Sequence, residues 1–590
     1  MLIDSINSPE DLKKISINEL PKLASEIRSI LIKRASKYGG HFGSNLGIVE
    51  ITIALHYVFN SPVDKIIFDV SHQCYPHKML TGRKNAYIYE EDYTKVSGFT
   101  NPNESFHDWF NVGHTSTSIS LACGLAKARD LKGEKENIIA VIGDASLDGG
   151  EAFEALNIAA ELGTGFIVVV NDNEMSIPEN HGALSTHLKR LKENHGHLQD
   201  NFFRALGYEY LFVEDGNSIQ DCISAFEKIK GTQKPVIIHC CTIKGKGYKY
   251  SEENQEKWHH AHPFNIETGE FNKATSVTKE NYGSIVGAYL MEKIERDPMV
   301  VAMTASVPAC FGFNPTRRKK AGNQFIDVGI AEQNMITMAV GLAKGGAKTV
   351  TITESSFYQR AYDQIEQEMC RNNSPVTMLI AFSGIYGHND DTHIGFFDIS
   401  LFGNIPNLIF LAPSNKEEYL AMLNWSIEQT KFPVAIRIPW NGVYYTENKV
   451  PTDYSVTKYW IRQKGALVAI MALGSFYQIG EAVVELLKAE NINATLIDPL
   501  FVSGYDTETL DYLKKNHKLI VTLEDGILSG GFGAHIAQYY GVTDIKVLNC
   551  GFSENIPTCF SVDEMMKRNN LFPDQIVTRI KDILNEGYRI

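Results

Sequence analysis

The chain has 590 residues, too long for one hydrophobic core, and its length predicts roughly three to four domains. With 44% hydrophobic and 21% charged residues it has the composition of a globular protein, not of a fibrous or disordered one. A net charge of −14 argues against a nucleic-acid partner, and nine scattered cysteines without a C-x-x-C pair support neither a disulfide framework nor a zinc site.

The opening MLIDSINSPEDLKK lacks the basic and apolar segments of a secretory leader, and no apolar run is long enough to span a bilayer; a cytoplasmic protein without membrane partners is expected. Residues 1–37 read as helical, with Ser8-Pro9-Glu10-Asp11 as the N-cap and first turn. A glycine-rich turn, Gly39-Gly40-His41-Phe42-Gly43-Ser44-Asn45-Leu46-Gly47, carries one histidine ahead of a helical stretch at 49–59. A strand at 65–70 runs into a segment holding His72 and His77. Their spacing invites a metal reading, but Pro76 argues against the helix that a paired-histidine metal site requires. Gly113-His114-Thr115-Ser116-Thr117-Ser118 then precedes a helix at 119–130, and small hydroxyl residues at a helix start offer N–H donors to an anion.

The stretch that organises the chain comes next. An apolar run at 138–142 ends in Gly143-Asp144, and a second at 166–170 ends in Asn171-Asp172-Asn173, with a helical pattern at 151–162 between them. A right-handed crossover puts both strands in one parallel sheet, so Asp144 and Asn173 emerge at the same carboxyl edge, where open α/β sheets bind ligands. A carboxylate, an amide oxygen and a backbone carbonyl, for which Met175 is the candidate, are hard ligands suited to Mg²⁺ or Ca²⁺.

Residues 185–200 read as a polar stretch before a helical start at Phe202. A strand at 236–240 leads to Lys244 and Tyr248 in a lysine- and glycine-containing turn that suits a phosphate and equally an exposed basic turn. His259, His260 and His262 form a cluster for which a metal role stays open. Residues 265–276 read as a linker, and a second α/β pattern begins near Tyr282; the basic run 317–320 reads as a solvated turn. Glu332 lies just past a short strand, where an acid can simply stabilise a helix dipole. Phe357 lies near another strand end, ordinarily a core position. A third unit follows Pro451, with strands at 466–473, 494–497, 519–522 and 545–548, a loop at 524–533 and no acid–base cluster.

The Gly143-Asp144 and Asn173 pair resembles the GDG…N signature of thiamine-diphosphate enzymes. GEAFEALN, NDNEMSI and GGHFGSNLGIVEITIALHYVF resemble the 1-deoxy-D-xylulose-5-phosphate synthase family in particular, and the resemblance covers nearly the whole chain. It implies an α/β fold of three doubly wound domains with mostly parallel sheets, transketolase-like: residues 1–270 for diphosphate binding, 277–450 for pyrimidine binding, and 455–590 as a C-terminal domain that is structural and dimer-forming. The implied cofactors are thiamine diphosphate and Mg²⁺, the latter on Asp144, Asn173 and Met175. His72, Gly113, His114, Thr115, Asp144, Ala145, Ser146, Asn173, Lys244 and Tyr248 are implied to line the cofactor, with Phe357 stacking on its pyrimidine. Glu332 is implied to hydrogen-bond the pyrimidine nitrogen and to favour the imino form that takes the thiazolium proton. His41, His259, His393 and Arg360 are implied to be catalytic.

The match departs in four ways. Ala145 stands where the family has a glycine, and would be strained if the backbone there needs a positive φ. The segment after Asn173 is shorter than in related synthases. Asn389 replaces an acid of the family's loop. Glu354, Phe382 and Trp440 stand where two arginines and a tyrosine grip the acceptor phosphate. Each lost Arg–phosphate contact costs about 1.5–3 kcal/mol, and the aromatics suit a less polar or cationic acceptor. The expectation is therefore an enzyme that decarboxylates pyruvate or a similar 2-oxoacid and passes the acyl unit to an aldehyde other than D-glyceraldehyde 3-phosphate. Its competitors are an ordinary synthase with a rearranged phosphate site, a transketolase, and a degenerate homologue acting as scaffold or regulator.

Overall fold

The computed structural model describes residues 1–272, 280–385, 392–438, 441–553 and 560–586. The chain forms two compact units, Met1–Thr275 with Gly329–Ala331, and Ser276–Val328 with Glu332–Ile590.

The first unit is built on five parallel strands: β1 (Lys65–Phe68), β2 (Ile138–Gly143), β3 (Ile167–Asp172), β4 (Glu209–Val213) and β5 (Val236–Cys241), in the spatial order β1-β2-β3-β5-β4. Their near-continuous Val/Ile runs are explained by burial on both faces. Phe68, Ile139, Val141, Ile167, Val169 and Ile238 feed one core, and Ile67, Ile138, Ala140, Ile142, Val168, Val170 and Ile237 the other. That alternation is the period of two of a strand sandwiched between helix layers. The expected crossover is present: the helix Gly150–Leu162 joins β2 to β3, and Gly143 pairs with Asn171.

The second unit holds two sheets. Strands β6 (Val300–Thr304), β7 (Phe325–Asp327), β8 (Lys348–Glu354), β9 (Thr377–Ala381), β10 (Ile409–Leu411) and β11 (Val434–Arg437) are all parallel, in the order β10-β11-β9-β8-β6-β7. Strands β12 (Trp460–Gln463), β13 (Leu467–Ala472), β14 (Thr495–Asp498), β15 (His517–Ile527) and β16 (Lys546–Phe552) lie in the order β12-β14-β13-β15-β16, with only β12 antiparallel.

Several expectations are corrected. Residues 1–37 are not one helix but the short helix Pro9–Leu12, with Ser8 as N-cap as expected, 3₁₀ turns at Leu2–Ser5 and Ile17–Glu19, and the helix Leu20–Tyr38. The polar stretch at 185–200 contains the helix Ala183–Glu193, whose Leu188 and Leu191 are buried. The basic run 317–320 lies in the helix Pro315–Ala321. Pro76 sits in the first turn of the short helix Tyr75–Lys78, where its missing N–H costs nothing, and that helix starts after His72, so it does not carry both histidines. Strand β12 was not expected, and β15 runs on through Asp525 into the region read as a loop. The linker reading of 265–276 falls partly on residues outside those described.

An ionic cluster was also missed. Arg437 Nε donates to Asp398 Oδ2 at 2.7 Å and Nη2 to Asp398 Oδ1 at 3.1 Å, while Nη1 donates to Asp525 Oδ1 at 2.5 Å. Ser475 Oγ adds a hydrogen bond to Asp525 Oδ2 at 2.6 Å. All three charged side chains are buried, so β11, β15 and the helix Asp398–Phe402 are tied by one guanidinium. Removing it would strand two carboxylates in a low dielectric. Arg437→Met is therefore expected to lower stability by about 3–5 kcal/mol, read as an early unfolding transition in a urea titration followed by circular dichroism; an unchanged midpoint would contradict this account.

Candidate functional site

In the first unit, three buried acids follow three neighbouring strands. Asp69 continues β1, with its N–H on Val141 O at 2.8 Å; Asp144 follows β2, with its N–H on Asn171 O at 3.3 Å; Asp172 ends β3. Their surroundings differ. Asp69 accepts the N–H groups of Ser116 at 2.8 Å and Ser118 at 3.0 Å. An internal carboxylate thus takes the donors of Ser116 and Ser118, neither of which was assigned to the cofactor. Gly113 is buried, His114 and Thr115 are half-buried, and Ser146 uses its carbonyl to accept from Ser116 Oγ at 2.8 Å. Asp172 Oδ2 bonds His239 Nε2 at 2.7 Å, and His239 Nδ1 bonds the Tyr210 hydroxyl at 2.8 Å. Burial opposes ionisation of Asp172, but His239 holds its carboxyl below the usual range. Asp144, 3% exposed, has its Oδ2 bonded by Asn180 Nδ2 at 2.8 Å. Burial, reinforced by Asp172, pushes its carboxyl well above the usual range. A desolvated carboxylate beside a second acid is a position that a divalent cation would relieve.

Ala145 opens a 3₁₀ turn, Ala145–Asp148, and is not among the residues with positive φ, so alanine is accommodated there without strain. Asn173 Oδ1 accepts the Met175 N–H at 3.2 Å in an Asx turn that leaves the Met175 carbonyl unused by that bond. Lys244 is buried with its ammonium on the Ser176 carbonyl, and burial lowers its pKa to about 7. Tyr248 packs among Phe42, Trp258 and Phe264 and ties its hydroxyl to Ile266 O at 3.0 Å, which makes it a wall of the core.

The histidines of three distant segments meet. Gly40–His41 and His260–Ala261 form a short antiparallel ribbon, extended by Phe42 N–H on His259 O at 3.0 Å and Gly43 N–H on Trp258 O at 2.9 Å. The rings of His41 and His72 lie 5.1 Å apart, His41 and His259 5.7 Å, and His72 and His259 5.5 Å, with His260 5.2 Å from His41. Asn45, which sequence reasoning missed, fixes this arrangement: its Nδ2 donates to His41 O at 3.0 Å and His72 O at 2.8 Å, and its Oδ1 accepts the Tyr75 N–H at 2.9 Å. Ser44 Oγ bonds His72 Nε2 at 3.0 Å. Burial, with the Lys244 charge, pushes the His259 imidazole well below its usual pKa. His77 is elsewhere, buried between His56 (2.9 Å) and Asp108 (2.8 Å). Among the described residues no group of three or more His, Cys, Asp or Glu side chains could hold a metal.

In the second unit, Glu332 opens the helix Glu332–Lys344 and is 3% exposed; its Oε2 has no hydrogen-bond partner, and Arg360 Nη1 stands 3.8 Å away. Burial raises its carboxyl, Arg360 opposes, and Glu354 adds to the rise. An orphaned carboxyl oxygen fits a partner with a ring nitrogen. Glu354, 4% exposed, ends β8. The rings of Phe357 and His393 meet edge to face at 5.7 Å, and His393 Nδ1 bonds Thr392 Oγ1 at 2.8 Å. Phe382 follows β9 with a φ of 49°. Asn389 and Trp440 lie outside the described residues.

Its relatives place this chain, with its parallel sheets, histidine cluster and buried helix-opening glutamate, among the transketolase-type, thiamine-diphosphate-dependent transferases. Accordingly, residues 279–443 match the pyrimidine-binding domain of transketolase and residues 458–576 the transketolase C-terminal domain. Residues 3–200 match the family described as 1-deoxy-D-xylulose-5-phosphate synthase. The synthase of Caldanaerobacter subterraneus subsp. tengcongensis is 38% identical over 626 aligned positions, covering 99% of this chain and 100% of that protein. That of Clostridium acetobutylicum is 38% identical over 617, covering 98% and 99%. The chain therefore belongs to the 1-deoxy-D-xylulose-5-phosphate synthase family. Among solved structures, Campylobacter jejuni transketolase is a distant likeness, 17% identical with a TM-score of 0.44 over 96% of this chain and 100% of that one. No helix among the described residues is long and apolar enough to cross a membrane.

The buried lysine gives a pH prediction. Between about pH 7 and about pH 10.5 the unfolded chain protonates Lys244 while the folded one does not, so this group makes stability rise with pH across that window. Lys244→Met should flatten the slope in denaturation midpoints of the cofactor-free protein; an equally steep slope in the variant would refute the assignment.

Proposed function

We propose that this protein binds thiamine diphosphate and Mg²⁺ and decarboxylates pyruvate or a similar 2-oxoacid, transferring the two-carbon acyl unit to an aldehyde other than D-glyceraldehyde 3-phosphate. The observation that carries the cofactor reading is the buried Glu332 carboxyl with an unbonded Oε2. Membership of the family supports the reaction type.

When bound, the cofactor supplies a nucleophilic carbon and an electron sink for the carboxylate that leaves. Asp144, Asn173 and the Met175 carbonyl would hold the cation, and Lys244 would stand near the diphosphate. Glu332, whose carboxyl burial pushes above its ordinary range, would pair with the pyrimidine nitrogen. Phe357 gives that ring an apolar face. His41, His72 and His259 would face the reacting carbonyl, and His259, whose imidazole burial pushes well below its usual pKa, would accept or relay a proton without adding fixed charge. His393 and Arg360 would orient the substrate in the other half of the site. The protein acts as a homodimer in the cytoplasm, on small molecules only.

The altered acceptor rests on Glu354. A second buried carboxylate whose charge reaches Glu332 repels a phosphate at the position where the family resemblance implies a phosphate contact. Phe382, Trp440 and Asn389 add the loss of cationic and acidic groups there. A second reading keeps D-glyceraldehyde 3-phosphate as acceptor on a rearranged site, and the full-length identity to named synthases favours it.

Steady-state kcat/KM for D-glyceraldehyde 3-phosphate against unphosphorylated aldehydes decides between them. The unphosphorylated series is expected to be preferred; high efficiency with the phosphosugar alone would end the altered-acceptor reading. Glu332→Gln is expected to slow carbon dioxide release from pyruvate about 10²–10⁴-fold, the usual size of a general acid–base contribution, and undiminished release would remove Glu332 from the mechanism.

A further inference from the structure

The loop after β3 turns back on itself. Met175 and Glu179 form an isolated antiparallel bridge, Ser176 N–H donates to Pro178 O at 2.9 Å, and Asn180 N–H donates to Glu174 O at 3.3 Å. Asp172 Oδ1 accepts the Glu174 N–H at 3.2 Å, which pins the start of the turn to the strand tip. Lys192, on the helix Ala183–Glu193 that follows, reaches Glu174 at 2.8 Å and Asp172 at 3.8 Å and holds the turn from outside. The fold-back has one chemical consequence: it delivers the Asn180 side chain to Asp144.

The two ends of that amide are used unequally. Nδ2 donates to Asp144 Oδ2 at 2.8 Å. Oδ1 of the same side chain is buried and has no hydrogen-bond partner. A buried amide oxygen without a donor is unfavourable unless something that binds there supplies one. The donor end also constrains Asp144, because a carboxylate with one oxygen fixed has a single oxygen left to turn toward an ion. Mg²⁺ keeps several of its waters when protein carboxylates bind it, and each such water is a strong donor to a neighbouring carbonyl.

We infer that Asn180 is a positioning residue of the cation site: its Nδ2 fixes one oxygen of Asp144 so that the other faces the ion, and its Oδ1 accepts a hydrogen bond from an ion-bound water. This rests on the Mg²⁺–thiamine-diphosphate reading given above. A residue that only pinned the loop would stabilise the protein with or without the ion. One that positions the site lowers ion affinity by more than it lowers cofactor-free stability.

The test is a calorimetric titration of Mg²⁺ into the full-length protein with thiamine diphosphate present, on wild type, Asn180→Ala and Asn180→Asp, with thermal unfolding of each cofactor-free protein. Asn180→Ala is expected to weaken Mg²⁺ binding about tenfold, the size of one hydrogen bond to a charged group, a larger effect than its loss of cofactor-free stability. Asn180→Asp sets a like charge against Asp144 and should lose still more. Mg²⁺ affinity within twofold of wild type in Asn180→Ala would overturn the inference, as would a loss matched by an equal loss of cofactor-free stability. If wild type takes up neither Mg²⁺ nor thiamine diphosphate, the cofactor reading itself fails.

Discussion

The first unit is organised by the cost of burying carboxylates at the ends of neighbouring strands. An ionised acid in a protein interior is disfavoured by several kcal/mol unless it is paired or fully hydrogen-bonded. Asp69 is answered by two backbone N–H groups and Asp172 by a histidine that a tyrosine holds in turn. Asp144 receives one amide at 2.8 Å and a second acid as neighbour. Of the three, Asp144 is the one whose carboxyl burial and a neighbouring acid push well above the usual range.

What could be read from the sequence follows the same division. The β2–helix–β3 crossover was legible because doubly buried strands show as apolar runs and the helix between them as a 3.6-residue pattern. That Asp144 and Asn173 share an edge followed from handedness alone. The partners of these acids were not legible, because they come from elsewhere in the chain: Asp69 and Ser116 are 47 residues apart, Asp172 and His239 67. The Gly113–Ser118 segment showed its donors but not the carboxylate that consumes them. The helix Ala183–Glu193 did carry a signal, since Leu184, His187, Leu188 and Leu191 recur at helical spacing and Leu188 and Leu191 are buried. Its polar composition masked it. Strand β12 is half-exposed along its whole length and runs antiparallel, so it lacks the apolar run that marked its neighbours.

The second unit repeats the pattern with different chemistry. Asp398, Arg437 and Asp525 are separated by 39 and 88 residues, and no local pattern announces a salt bridge whose members lie on a helix and two strands of different sheets. Ser355 Oγ donates to Gly395 O at 2.8 Å, and Ile527 N–H donates to Phe396 O at 3.0 Å. The segment that carries His393 is thus held from β15 as well as from the helix that follows β8. A C-terminal sheet that looked only structural in sequence therefore helps to fix a candidate catalytic histidine.

Glu332 and Glu354 pose the remaining electrostatic question. Both carboxyls are buried, the Glu354 charge reaches Glu332, and the Arg360 guanidinium stands 3.8 Å from Glu332, beyond hydrogen-bond range. A second buried carboxylate makes ionising Glu332 more costly in a low dielectric. Burial is the larger cause of that cost, and Arg360 opposes it. A protonated carboxyl is a donor as well as an acceptor, whereas the ionised form only accepts. Without the Glu354 charge Glu332 would ionise more readily, so one buried acid raises the carboxyl of the other.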